Sequence, residues 1–232
     1  MRITNKLNRP TSIVAAIFLL LVLLLSTMAI VITQIRAGAQ GNISAVAESV
    51  FWNGLNFIVT LLVIIALFRG KKDIFSAVVF ILAALQPTAQ LVVGFSRAEN
   101  MEYWSELARL AQYCNYFAHL TNLAFRILVV VECFKPGALS GGMRRLLLIF
   151  LPIIWLLVSN FAVGLENLSY AFSDPTEAAL AIFPVVFISV LLSMPWVVVG
   201  IAFSIPVREP VRPPVPQPPF IPGVPPVFPP HF

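Results

Sequence analysis

The sequence predicts an all-α membrane protein, a polytopic bundle of six transmembrane helices followed by a disordered proline-rich tail. Six long apolar runs carry this prediction, because each is close to the roughly 20 residues that cross a hydrocarbon core as a helix. Hydrophobic residues make up 59% of the 232-residue chain and charged residues 11%, against roughly 25% charged residues in a soluble domain. The runs are continuously apolar rather than alternating, which disfavours a transmembrane β-barrel.

The six runs divide the chain into one membrane domain and one tail. Residues 1–205 form the transmembrane domain, and residues 206–232 form the tail. The first run follows a basic start, as a signal peptide does, but it is longer than the usual stretch of about 7–15 residues. We therefore expect a retained anchor. The predicted spans are Ser12–Ile35, Phe51–Phe68, Ile74–Phe95, Tyr113–Cys133, Leu146–Val163 and Ala179–Ser204.

Two connections between the spans have a predicted form. Arg69–Asp73 is short enough to make the second and third helices an antiparallel hairpin. The segment Met101–Gln112 has apolar residues at helical spacing, with acidic and basic residues away from that stripe. It is either an interfacial start of the fourth helix or a simple helical extension into water.

Basic residues predict the orientation of the bundle. Eleven of the fifteen lie at the N-terminus, in the second and fourth connections and in the C-terminal segment. Because cytosolic loops carry the excess of Lys and Arg, both termini are predicted to be cytosolic, in a plasma membrane or an endomembrane. The two Asn-x-Ser motifs, at Asn42 and Asn167, then lie on the opposite side and are candidate glycosylation sites.

A stripe of polar residues on the fourth helix is the main candidate for a functional site. Its members are separated by steps of three and four residues, so they share one face of the helix. Polar groups are unfavourable in hydrocarbon, so this face should point into the bundle or into a wet cavity. This helix-four stripe consists of Gln112, Asn115, His119, Asn122 and Arg126; other intramembrane polar residues that can meet it are Asn53, Asn56, Gln86, Gln90 and Asn160.

The stripe has two interpretations. In the first, its side chains form hydrogen bonds between helices and determine their packing, at about 0.6 kcal/mol per bond. In the second, they line a cavity for a small polar ligand or an ion, with Arg126 at its floor as an anion contact or a barrier to cations. Arg126 has a further alternative, which is to extend along the helix to the cytosolic interface. Pro87, between Gln86 and Gln90, also leaves one backbone carbonyl of the third helix without its helical donor.

The sequence contains no recognisable catalytic or metal-binding motif. His119 is the sole intramembrane histidine. Glu132, the one acid inside a span, lies about thirteen residues away on another face. We therefore expect no enzymatic activity, no cofactor and no metal. The net charge of +5 is spread over membrane boundaries, so we expect no binding of nucleic acid.

The tail contains prolines at every third residue. A polyproline II helix has three residues per turn, so these prolines line one edge, which SH3, WW and related domains recognise. The alternatives are a disordered tail without a partner and a tail whose apolar residues touch the membrane surface. The six periodic residues are Pro210, Pro213, Pro216, Pro219, Pro222 and Pro225.

These observations predict a membrane protein that acts by binding, as an interaction or receptor-like component. The alternative function is a small-molecule or ion transporter or channel that uses the polar cavity. The expected partners are membrane lipids, a cytosolic polyproline-binding domain and a small polar ligand. The two functions differ at the helix-four stripe, which is open to water in a transporter and closed by side-chain partners in a packing network.

Overall fold

The computed structural model describes residues 2–3, 5–39, 43–97, 105–134, 141–171 and 175–209. Within this part of the chain, six helices are long and apolar enough to cross a membrane, which confirms the all-α, six-span prediction. The repeating prolines, from Pro210 onward, lie outside the described residues. The helices are α1 (Arg9–Ala39), α2 (Ile43–Arg69), α3 (Ile74–Arg97), α4 (Glu106–Phe134), α5 (Gly141–Ala171) and α6 (Pro175–Ser204).

Several helices are longer than the apolar runs that predict them. Helix α4 begins at Glu106, so the last seven residues of Met101–Gln112 are helical and continuous with the span, while 101–104 lie outside the described residues. The hydroxyl of Ser105 accepts a hydrogen bond from the amide of Ala108 at 3.3 Å and caps this end. In α4 the helix includes the polar residues that precede the apolar run, because Glu, Arg and Gln are compatible with helical backbone hydrogen bonding.

The helices form a closed ring in chain order. Each helix packs on its neighbour in sequence, and α6 packs on α1 to close the ring. Phe80 of α3 and Phe203 of α6 meet edge to face across this ring, with their centroids 5.4 Å apart. Both rings are fully buried, so the interior is filled with side chains at this level.

Two glycines allow helices of the ring to approach closely. A Cβ at Gly200 in α6 would overlap the backbone carbonyl oxygen of Leu148 in α5. A Cβ at Gly94 in α3 would overlap the ring of Tyr116 in α4, whose hydroxyl donates a 2.6 Å hydrogen bond to the Gly94 carbonyl. Small residues of this kind bring backbones together in lipid.

One end of the bundle, here called the basic end, is closed by the N-terminal segment. The strands β1 (Arg2–Ile3) and β2 (Arg208–Glu209) pair antiparallel. The amide of Leu7 donates to the Gly70 carbonyl at 2.8 Å, and the amide of Lys72 donates to the Asn5 carbonyl at 2.7 Å. The first residues of the predicted tail are therefore paired with the N-terminus, a contact that the sequence did not predict.

The turn between α2 and α3 completes the basic end. Gly70 has a positive φ of 62°, a conformation that glycine adopts without steric cost. Asp73 caps α3, because its carboxylate accepts a 2.9 Å hydrogen bond from the Ser76 amide. Burial opposes ionisation of Asp73, but the Ser76 hydrogen bonds and the charges of Arg69 and Lys71 outweigh it and hold its pKa below the ordinary value.

Candidate functional site

The deep half of the helix-four stripe forms a compact group that we call the Arg126 cluster. Arg126 Nη1 donates a 2.6 Å hydrogen bond to the carbonyl oxygen of Ala83 in α3. Arg126 Nε donates a 3.0 Å hydrogen bond to Asn122 Oδ1, one turn earlier in α4. The guanidinium carbon lies 4.1 Å from the ring centroid of Trp196 in α6. Three helices therefore meet at one cation.

Pro87 explains why Arg126 bonds to that particular carbonyl. In a regular helix the Ala83 carbonyl would accept from the amide of residue 87, but proline has no N–H. Arg126 supplies the missing donor from the neighbouring helix. A buried carbonyl without a donor costs about 1–3 kcal/mol, so the proline in α3 and the arginine in α4 compensate for each other.

Arg126 is only 3% exposed, so its side chain does not extend to the interface. Its charge lies against the face of an indole ring, which attracts cations more strongly when water is excluded. In the described part of the chain, no carboxylate forms an ion pair with Arg126. Two hydrogen-bond acceptors and one aromatic face stabilise the cation in place of a counter-ion.

The other half of the stripe is less enclosed. Gln112, Asn115 and His119 are half-buried, although they share a helix face with the buried Asn122 and Arg126. The Nδ1 atom of His119 is buried and has no hydrogen-bond partner among the described residues. The stripe thus changes along α4 from a closed cluster to a partly open polar surface.

The remaining candidates of the sequence lie apart from the Arg126 cluster. Gln86 and Gln90 are exposed on α3, and Asn56 is half-buried on α2. Asn53 lines a groove of about 450 Å³ between α1 and α2. Asn160 Nδ2 donates to the Leu156 carbonyl of its own helix at 2.6 Å. Of the ten polar candidates, Asn122 and Arg126 are joined to each other by a side-chain hydrogen bond.

A second polar centre, absent from the sequence-based candidates, lies at the basic end. Lys72 Nζ donates a 2.6 Å hydrogen bond to Glu132 Oε1 and approaches the carbonyl of Phe203 at 3.4 Å. Arg144 Nε lies 2.5 Å from Glu132 Oε2. All three side chains are 6–7% exposed. This Glu132 triad connects the turn before α3, the end of α4 and the start of α5, and through Phe203 it also reaches α6.

The sequence contained a signal for the triad. Glu132 is the one acid inside a predicted span, and two basic connections flank it in sequence. Membrane orientation accounts for the charge of Lys72 and Arg144 without requiring a partner. Their burial depends on how α3, α4 and α5 converge, and residue periodicity within one helix does not contain that information.

The structure describes one of the two candidate glycosylation sites. Asn167 lies inside α5 and donates its side-chain amide to the Val163 carbonyl at 2.8 Å. Asn42 lies outside the described residues. In the folded helix, the Asn167 amide nitrogen that would carry a glycan is therefore hydrogen-bonded to Val163.

Metal ligation and similarity to known proteins give no further indication of the function. Among the described residues, no group of three or more His, Cys, Asp or Glu side chains could hold a metal ion. No protein-family model, curated protein or solved structure matches this chain.

Proposed function

We propose that this chain is a non-enzymatic multi-pass membrane component that acts by binding, as an interaction partner or a receptor-like protein. The closed Arg126 cluster carries the proposal. A transport path along the helix-four stripe would have to pass Arg126. Its Nε and Nη1 donate to Asn122 and Ala83, and Trp196 lies against its face. The Glu132 triad supports the same proposal, because three buried and paired charges lie at the basic end.

The partly open half of the stripe is the proposed binding surface. Gln112, Asn115 and His119 are half-buried and carry both donors and acceptors. The buried Nδ1 of His119 lacks a described partner, and a small polar ligand can supply one. A ligand bound here would contact α4 without passing the Arg126 cluster or the Glu132 triad. A receptor binds its ligand in this way, whereas a transporter must let it pass.

The proline-rich tail is the proposed contact for a partner domain. With both termini in the cytosol, the period-three prolines would present one edge to a polyproline-binding domain. The start of the tail, at Arg208–Glu209, is held at the basic end by the pairing of β2 with β1. A partner on the tail would therefore be kept close to the bundle. Replacing Pro213, Pro216 and Pro219 with Ala should abolish capture of a polyproline-binding domain and leave membrane insertion unchanged.

Labelling of single cysteines tests the closed cluster. In a variant lacking Cys114 and Cys133, cysteines are introduced at Asn115, Asn122 and Lys71, and each side of the membrane is exposed to an impermeant thiol reagent. We expect Asn115→Cys to react from the side opposite to Lys71→Cys, and Asn122→Cys to react from neither side. Reaction of Asn122→Cys from both sides would contradict the receptor proposal.

The same experiment tests the proposed topology. Lys71→Cys should react only from the cytosolic side, in a plasma membrane or an endomembrane, because the basic connections are proposed to be cytosolic. Reaction of Lys71→Cys in intact cells would overturn that orientation.

A second candidate function is a transporter or channel for a small polar molecule or ion. The observation in its favour is the gradient along α4, from half-buried Gln112 to buried Arg126, as in a cavity open to one side. A transporter must also open at the basic end, where Glu132 would have to release Lys72 and Arg144. Reaction of Asn122→Cys from the Lys71 side, together with solute flux in proteoliposomes, would establish this function instead.

A further inference from the structure

The basic end contains two pairs of adjacent basic residues, and in each pair one side chain is buried and the other is exposed. In Lys71-Lys72 and in Arg144-Arg145, the triad member is buried and its neighbour is exposed. Lys72 and Arg144 contact the same carboxylate, Glu132. The two exposed bases therefore have defined positions, because each is adjacent to a triad member that packs in the core.

Backbone contacts hold further bases beside Lys71. Lys6 lies directly opposite Lys71 in an antiparallel bridge, and the Lys71 carbonyl accepts a 2.7 Å hydrogen bond from the Ser76 hydroxyl. Arg9 follows three residues later, at the start of α1. We call the exposed set Arg9, Lys71 and Arg145 the basic rim.

Two acids whose side chains the structure describes at this end, Asp73 and Glu132, are already paired. Asp73 pairs with Arg69 at 2.8 Å, and Glu132 pairs with Lys72 and Arg144. In the part of the chain that the structure describes, Arg9, Lys71 and Arg145 form no ion pair with an acid. The rim thus presents excess positive charge at defined positions.

The rim lies where headgroups of a bilayer lie. One candidate span begins at Arg9, another ends at Arg69, the next begins at Ile74, and a fourth begins at Gly141. This depth follows from the spans and holds for either orientation of the bundle. We infer that the basic rim binds the phosphate-bearing headgroups of anionic phospholipids. Each base near an anionic surface should strengthen binding by about fivefold.

Nanodiscs containing the full-length chain test this inference. Discs are prepared from phosphatidylcholine alone or with added phosphatidylinositol 4-phosphate, and lipids retained on the protein are measured by native mass spectrometry. Tryptophan fluorescence gives the thermal midpoint in parallel. We expect preferential retention of the anionic lipid and a higher midpoint in its presence. Equal retention of both lipids by the unmodified chain would overturn the inference.

A matched pair of triple variants separates the rim from overall charge. The first carries Arg9→Gln, Lys71→Gln and Arg145→Gln. The second carries Arg36→Gln, Arg97→Gln and Arg109→Gln and removes the same charge from the other ends of the helices. Retention of anionic lipid should fall by about fivefold per replaced base in the first variant and stay unchanged in the second. Equal losses in both would show that net charge alone attracts the lipid, against the inference.

Two further measurements keep the test decisive. Inorganic phosphate and soluble inositol phosphate are added to phosphatidylcholine discs; if either raises the midpoint as the lipid does, the rim recognises a free anion and the assignment to lipid is wrong. If the first triple variant fails to fold, the single variants Lys71→Gln and Arg145→Gln replace it. Each should reduce retention by about fivefold, and no reduction in either would contradict the inference.

Discussion

The basic end of the bundle and its opposite half are held together by different means. The basic end combines the Glu132 triad, the paired N-terminal segment and a core that includes Phe80 and Phe203. In the opposite half, α1 has no buried residue after Leu23 and α2 has none before Val63, among the side chains that the structure describes. Contacts there come from small residues, such as Gly94, and from polar groups.

The difference shows what makes a bundle tight in lipid. Burial of an apolar side chain between helices gains little there, because lipid tails are equally apolar. Tight packing therefore occurs where close backbone contacts, ion pairs and cation–π contacts favour it. Among the described residues, the opposite half has no buried ion pair, and it contains the partly buried stripe around His119. A ligand can bind there without separating buried charges.

The largest expected effect is at the triad. Glu132→Leu leaves Lys72 and Arg144 buried without their carboxylate, and loss of one partner of a buried ion pair costs about 3–5 kcal/mol. We expect a fall of this size in the free energy of unfolding, measured by titration with a denaturing detergent. The triple variant Lys72→Met, Glu132→Leu and Arg144→Met should recover most of the loss, since no buried charge then remains.

The control for this prediction lies at the opposite half. Glu106 is 86% exposed and pairs with Arg109 on the surface, so Glu106→Leu should change stability by less than about 1 kcal/mol. Equal losses for Glu132→Leu and Glu106→Leu would remove the distinction between the two regions.

A double-mutant cycle tests the Arg126 cluster. Arg126→Met leaves the Ala83 carbonyl without a donor and should cost about 2 kcal/mol in unfolding free energy. Adding Pro87→Ala supplies an N–H at residue 87, which can bond to that carbonyl within α3. Pro87→Ala should therefore stabilise the Arg126→Met variant more than it stabilises the unmodified chain. Strictly additive effects would show that Pro87 and Arg126 act independently.

Two glycine substitutions compare packing in the two regions. Gly200→Ala introduces a Cβ that meets the Leu148 backbone, and overpacking of this kind costs about 1–3 kcal/mol. Gly54 in α2 has open space around its Cα, so Gly54→Ala should be neutral or stabilise by less than about 1 kcal/mol. Thermal midpoints of both variants in the same detergent check the contrast, and a larger loss for Gly54→Ala would contradict it.

The smallest effect concerns the cap of α3. Asp73→Ala removes the acceptor for the Ser76 amide and should cost about 1 kcal/mol. The folded-state pKa of Asp73 is below its ordinary value of 3.8, so the charge-dependent stabilisation is complete above that value and is lost as the pH falls through the folded pKa. The difference between Asp73→Ala and the unmodified chain should shrink below about pH 4; a difference that grows there would refute the ionised cap.

The sequence alone determined the class, the number of helices and the position of the polar stripe. Apolar length sets a span because the hydrocarbon core is about 30 Å thick, and this rule located the six candidate spans in the described part of the chain. The shared face of Asn122 and Arg126 followed from helical period. Pro87 indicated that one carbonyl of α3 lacks its helical donor, but it did not indicate which residue would donate to that carbonyl.

Only the tertiary structure decided which polar groups meet. Arg126 could equally have extended to the interface, and Lys72 and Arg144 could equally have stayed in water as orientation signals. Their partners come from other helices, 43 and 60 residues away for Arg126 to Ala83 and Lys72 to Glu132. Periodicity within a helix gives the direction of a side chain around its own axis. The crossing of neighbouring helices decides what that side chain touches, because it depends on close backbone contacts such as Gly200 with Leu148.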